Sequence, residues 1–146
     1  MEAGEFLEAW GVDRPTVDVL SLARRAGIKV YQSPDMEWLS ALDILDDEAR
    51  LFTLSGIPAG EERFAAAHAM GHVALHKGSR FRCDLIARVQ QEREANLYAQ
   101  DLLVPSEMLD SFYEGARGDV RVLAHIFGVP EEAMRVRIRR YFGGPL

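Results

Sequence analysis

Three histidines recur at four-residue intervals in Phe64-Ala65-Ala66-Ala67-His68-Ala69-Met70-Gly71-His72-Val73-Ala74-Leu75-His76. On an α-helix, residues four apart project from one face, near enough for two imidazole nitrogens to hold one Zn²⁺ at about 2.0–2.1 Å each. His68 with His72 meets that requirement, and so does His72 with His76, so spacing alone does not choose the pair. A single histidine on an apolar helix is ordinarily a hydrogen-bonded core residue, but three in register on an uncharged stretch all need polar partners. The following segment, Gln90-Gln91-Glu92-Arg93-Glu94-Ala95-Asn96-Leu97-Tyr98-Ala99, offers the missing ligand type. Either Glu92 or Glu94 could complete a His₂Glu set with a fourth position left for water. Both are equally explained as first-turn carboxylates favoured by the helix dipole.

These residues need two helices that cross. From Glu61 onward the apolar period is helical, with Phe64, Ala67, His68, Met70, Gly71, His72 and Leu75 on one broad side and a stop near Lys77-Gly78. A second helix is expected over 90–103, halted by Pro105, and three short ones over 105–113, 119–127 and 130–141. Upstream, Pro15 opens a helix over 15–26 with Val17, Leu20, Leu22 and Ala23 as its apolar face and Gly27 as its stop. Short strands follow at 28–31, 41–45 and 49–54, the last two separated by a turn at Asp46-Asp47-Glu48. The segment 79–89 carries no clear pattern. Strands first and helices later give an α+β fold, a small β-sheet packed on a mainly helical body.

The 146 residues suffice for one domain over 1–146, with the helical part at about 105–141 inside it. Hydrophobic residues at 48% and charged residues at 27% describe a globular protein with a real core. The single cysteine, Cys83, excludes an intrachain disulfide and a Cys-based zinc cage, which fits a reducing cytoplasm. No apolar run approaches a membrane span, and the acidic N-terminus lacks the features of a signal peptide. The net charge of −6 argues against direct nucleic-acid binding. The aromatic residues are spread along the chain without the clustering of a base-stacking platform.

The sequence resembles the ImmA/IrrE-type metallopeptidases, cytoplasmic zincins that cleave transcriptional repressors. The matching pieces are F-x-x-A-H-x-x-G-H-x-x-L-H at Phe64 to His76 and E-x-E-A-N-x-[FY]-A at Glu92 to Ala99. They continue with L-L-x-P at Leu102 to Pro105 and L-A-x-x-F-G-V-x-x-x-A-x-x-x-R at Leu123 to Arg137. The resemblance implies a zincin-like domain binding Zn²⁺ through His68, His72 and Glu92. It makes Asn96 a residue that orients Glu92, and His76 a neighbour of the site rather than a ligand. Gly71 would let a strand or substrate approach the helix closely, although plain packing explains a glycine there equally well. The implied role is site-specific cleavage of a helix-turn-helix repressor, compatible with stress response and other forms of transcription regulation.

One departure outweighs the matches. The family motif is H-E-x-x-H, whose Glu is the general base that deprotonates the attacking water. Here that position is Ala69. General acid–base groups are worth about 10²–10⁴-fold in rate, so the chain as written is expected to be catalytically impaired while its metal ligands persist. Glu62, Glu92 and Glu94 offer no substitute: the first lies elsewhere on the helix, the second is needed by the metal and the third faces away. A decayed site would tend to lose ligands too, which favours a Glu→Ala substitution made to trap an inactive enzyme. The alternative is a natural pseudopeptidase that acts as a zinc-stabilised repressor-binding module.

A rival class is a helix-turn-helix DNA-binding protein. Val120 to Pro130 has an alanine and a turn glycine at suitable spacing, and the next helix carries Arg135, Arg137, Arg139 and Arg140. Residues 117–141 hold six Arg against three acidic residues, a local +3, so the remainder of the chain carries −9. A solvated face of a terminal helix explains those arginines better than groove binding, and the resemblance already accounts for this helix pair as part of the peptidase fold.

Overall fold

The computed structural model describes residues 2–76, 80–83 and 90–143. It opens with a helix absent from the sequence reading, α1 (Ala3–Ala9), whose Ala3 and Leu7 are buried. The next, α2 (Val19–Arg25), starts four residues later than Pro15. Asp18 caps it by accepting from the Ser21 amide, and Val17, although fully buried, belongs to the approach rather than to the helix. The Thr16 hydroxyl in that approach donates to the Ile126 carbonyl at 2.7 Å.

Among the described residues four strands form one sheet: β1 (Lys29–Ser33), β2 (Ser40–Leu45), β3 (Glu48–Leu54) and β4 (Arg80–Cys83), in the order β1-β3-β2-β4. β1 runs parallel to β3, whereas β2 is antiparallel to both β3 and β4. The β2–β3 hairpin turns on Asp46 and Asp47 alone, with φ of 52° and 63°, and Glu48 already pairs with Leu45. Two successive left-handed residues match the right-handed twist of the flanking strands, and Asp tolerates that conformation better than most residues. Leu42 and Leu51 are paired on the inner face and buried. On the other face Tyr31 and Phe52, directly opposite in register, stack with ring centroids 5.2 Å apart. Two of the aromatics that look dispersed in the sequence are therefore neighbours.

Against the inner face lies α3 (Ala59–Leu75), with α4 (Gln90–Leu103) packed on α3 in the most extensive helix–helix contact of the fold. Residues 64 to 72 are all buried, so α3 has no single apolar side; it is enclosed by the sheet, α2 and α4. Its run of alanines, with Gly71, permits this, because small residues let neighbours approach from several directions. The helix ends at Leu75, and His76 has extended backbone at φ −123°, ψ 142°. The expected stop at Lys77-Gly78 lies outside the described residues.

α5 (Ser106–Tyr113), α6 (Val120–Phe127) and α7 (Glu131–Phe142) complete the body. Asp119 caps α6 and Gly128 closes it in the left-handed region at φ 66°. The hydrophobic core runs without a break from Ala3 and Leu7 through Leu42, Leu51 and Phe64 to Leu102, Leu109, Phe127 and Met134. Two of the arginines on α7 point inward. Arg137, 5% exposed, donates through Nε to the Val104 carbonyl at 2.8 Å and through Nη2 to Ser106 Oγ at 2.9 Å. Arg140 donates to Gln100 Oε1 and Asp101 Oδ1 at 2.8 and 3.1 Å. They fasten α7 to α4 and α5 rather than forming a solvated basic face.

Candidate metal centre

The packing of α3 on α4 brings His68, His72 and Glu92 together, with one ligand atom from each lying within 4.8 Å of the others. The Nε2 atom of His68 is 2.7 Å from Glu92 Oε2, and the Nε2 atom of His72 is 3.1 Å from Glu92 Oε1. One carboxylate therefore faces two imidazoles, which sit edge to face with centroids 4.9 Å apart. Both His side chains are at most 1% exposed, while that of Glu92 is 21% exposed, so the cluster opens to solvent on its carboxylate side.

The close approach of the two helices has a specific cause. A Cβ on Gly71 would lie 3.0 Å from both Cα and O of Ala95 and 3.2 Å from Tyr98 Cβ. The glycine between the two histidines thus admits the backbone of α4, not a strand or a substrate. Without it the carboxylate one turn earlier on α4 could not come so near the imidazoles.

The remaining ring nitrogens are held as well. His68 Nδ1 donates to Asn96 Oδ1 at 2.6 Å, which leaves its Nε2 lone pair directed at Glu92. Asn96 thus holds the ring of the first histidine. His72 Nδ1 lies 2.9 Å from His76 Nδ1. Because the chain leaves the helix at His76, this third imidazole contacts His72 from the side opposite Glu92. Glu94 is outside the cluster, 42% exposed and 3.9 Å from His76 Nε2. Burial, reinforced by neighbouring His68, pushes the His72 pKa down to about 4, so the group stays neutral and keeps a lone pair available at ordinary pH.

This donor set fits a divalent cation of the zinc type. Tetrahedral coordination at 2.0–2.1 Å places donor atoms about 3.3 Å apart, close to the contacts of 2.7 and 3.1 Å found here. Three lone-pair donors converging in a buried space also need a proton or a cation between them to be stable.

Ala69 follows the first histidine and is 1% exposed, enclosed in the apolar core. Glu62 is not available in its place, since its carboxylate accepts from the Gln32 side chain at the start of α3.

An α+β fold in which a buried helix presents two histidines one turn apart, met by a carboxylate from the next helix, has the architecture of the zincin-like metallopeptidases. The chain belongs to the family of IrrE N-terminal-like domains, Peptidase M78, whose model matches residues 23–139. Among curated proteins none matches the sequence significantly. A Mycobacterium tuberculosis transcriptional regulator shares the fold with a TM-score of 0.71 and 21% identity, over 94% of this chain and 44% of that one. The present chain therefore spans less than half the length of that protein.

Proposed function

We propose that this chain is a zinc-binding domain of the repressor-cleaving metallopeptidase type, held inactive by Ala69. His68, His72 and Glu92 are its ligands. The observation that carries the reading is the convergence of two buried imidazoles on one partly exposed carboxylate. Zinc bound there supplies Lewis-acid polarisation of a peptide carbonyl and activation of water. The chain's own contribution is to hold the donors: Asn96 fixes the His68 ring, Gly71 sets the spacing of the helices, and the aliphatic surroundings exclude bulk water. The missing contribution is a proton acceptor, because a methyl group at residue 69 cannot take a proton.

The preferred substrate is a cytoplasmic helix-turn-helix repressor, whose cleavage derepresses its genes. Family membership supports this choice, and the structural neighbour being a transcriptional regulator agrees with it. The same domain without a general base still has a way to act, by binding and sequestering that partner. The codon for residue 69 in the native gene separates a peptidase in inactive form (Glu) from a natural pseudopeptidase (Ala).

Metal analysis of the purified chain should give one zinc per monomer. Alanine at His68, His72 or Glu92 should abolish retention, and Glu94→Ala should not. Ala69→Glu should create cleavage of a repressor encoded nearby, lost on chelation and absent in Ala69→Gln, whose amide has a similar shape but is a far poorer base. An Ala69→Glu protein that binds zinc and partner yet cuts nothing would replace the peptidase reading with the sequestering one.

A further inference from the structure

Metal ligation by His72 requires one particular tautomer, and the ligand set itself does not provide it. His68 has its N–H committed to Asn96, but His72 Nδ1 faces another imidazole nitrogen, His76 Nδ1, at 2.9 Å. A hydrogen bond between these two nitrogens holds one proton, and either imidazole can be the donor. If His76 donates, the His72 proton sits on Nε2, facing Glu92, and the ligand lone pair is lost. If His72 donates, its Nε2 is bare and turned to the site.

We propose that His76, backed by Glu94, is a positioning residue that selects the second arrangement and so prepares His72 as a ligand. The Glu94 carboxylate lies 3.9 Å from His76 Nε2, too long for a hydrogen bond but near enough to favour a proton on that nitrogen. With its proton on Nε2, His76 has only a lone pair on Nδ1 and must accept. The chain then runs from Glu94 through His76 to His72 and leaves the His72 Nε2 lone pair facing Glu92 Oε1 at 3.1 Å. The helix end makes the contact possible: extended backbone at His76 carries the ring off the helical path. At 5% exposure the His76 side chain is shielded from the water that would otherwise compete for both nitrogens. The two histidine ligands are thus oriented by different means, His68 by an amide and His72 by an imidazole–carboxylate pair.

The inference rests on the metal-site reading above, and the test separates the two. Zinc affinity is measured by competition with a chromophoric chelator for the unaltered chain, His76→Leu, His76→Asn and Glu94→Gln. ¹⁵N NMR of the zinc-loaded forms reports whether His72 carries a protected Nδ1–H bonded to residue 76. His76→Leu should weaken zinc binding 10–100-fold and lose the protected proton, a cost in the usual range for partners of metal ligands. His76→Asn should restore most of the affinity, since its side-chain oxygen stands near the lost Nδ1 and can only accept. Glu94→Gln should give a smaller loss in the same direction. Unchanged affinity in His76→Leu, or an Asn variant as weak as the Leu variant, would overturn the relay while leaving the metal site intact. An unaltered chain that binds no zinc would overturn both.

Discussion

Replacing Gly71 by alanine sets two effects of known size against each other. In an unencumbered helix the change is favourable by about 1 kcal/mol, because alanine has the better propensity. At this position the added methyl would meet two backbone atoms of α4 at 3.0 Å, where ordinary contact begins at 3.4 Å. Neither Ala95 Cα nor its carbonyl can rotate away, so the helices must part by roughly 0.4 Å. Overpacking of this kind costs about 1–3 kcal/mol. The expected net result is a loss of up to about 2 kcal/mol in the metal-free protein. The same displacement moves Glu92, three residues before Ala95, against ligand distances that tolerate only about 0.2 Å. Zinc affinity should therefore fall at least about tenfold, or 1.4 kcal/mol. Urea denaturation of the metal-free form and competitive zinc titration measure the two losses separately. Gly4→Ala, in α1 with nothing within 4 Å of the new methyl, is the control and should be neutral or mildly stabilising. If Gly71→Ala proves more stable by the propensity difference and binds zinc as before, the helices yield freely and their spacing does not set the site.

Arg137→Met should destabilise the protein by roughly 2–4 kcal/mol in denaturant melts, since it strips the buried Val104 carbonyl and Ser106 of their donor. In the metal-free protein, stability should be complete above about pH 6.5 and fall towards pH 4, because folded His72 resists protonation down to about 4 whereas the unfolded residue titrates near 6.5. The loss amounts to about 3 kcal/mol in chemical melts across that range, and alanine at His72 should remove most of it. In an anisotropy titration at physiological salt the protein should show no sub-micromolar, sequence-selective DNA binding, because Arg137 and Arg140 are engaged inside the fold and the net charge is −6.

The parts of the fold that sequence discloses are those governed by local rules. Helix α4 is legible because its period is clear and Pro105 ends it, and the His68–His72 spacing announces a shared face. Spacing leaves two histidine pairs open; the fold groups His68 and His72 with Glu92, while the end of α3 at Leu75 carries His76 off the helical path. Strand β4 shows little pattern in four residues; it exists because β2 offers an edge, a pairing made over some forty residues of chain. Helix α1 escaped because MEAGEFLEAW reads chiefly as acidic, although Ala3 and Leu7 stand four apart and are both buried. The inward course of Arg137 and Arg140 was hidden for a related reason: their partners lie 31 to 40 residues away.

The start of α3 is tied down by residues made much later. Arg63 Nη1 donates to the Gly128 carbonyl, 65 residues downstream, and a Cβ on Gly60 would come within 3.2 Å of the Val129 backbone. At about 5–20 residues per second, a ribosome takes roughly 3 to 13 seconds to extend the chain from the first of these partners to the second. For most of that interval the alanine-rich helix is being completed and exported without its final neighbours. The nascent chain thus passes through a period in which His68 and His72 are made but the carboxylate that joins them, and then the C-terminal brace, are still to come. Metal loading is expected to wait until α4 has been made and packed on α3, and chaperones that recognise exposed apolar helices have their best opportunity during the delay.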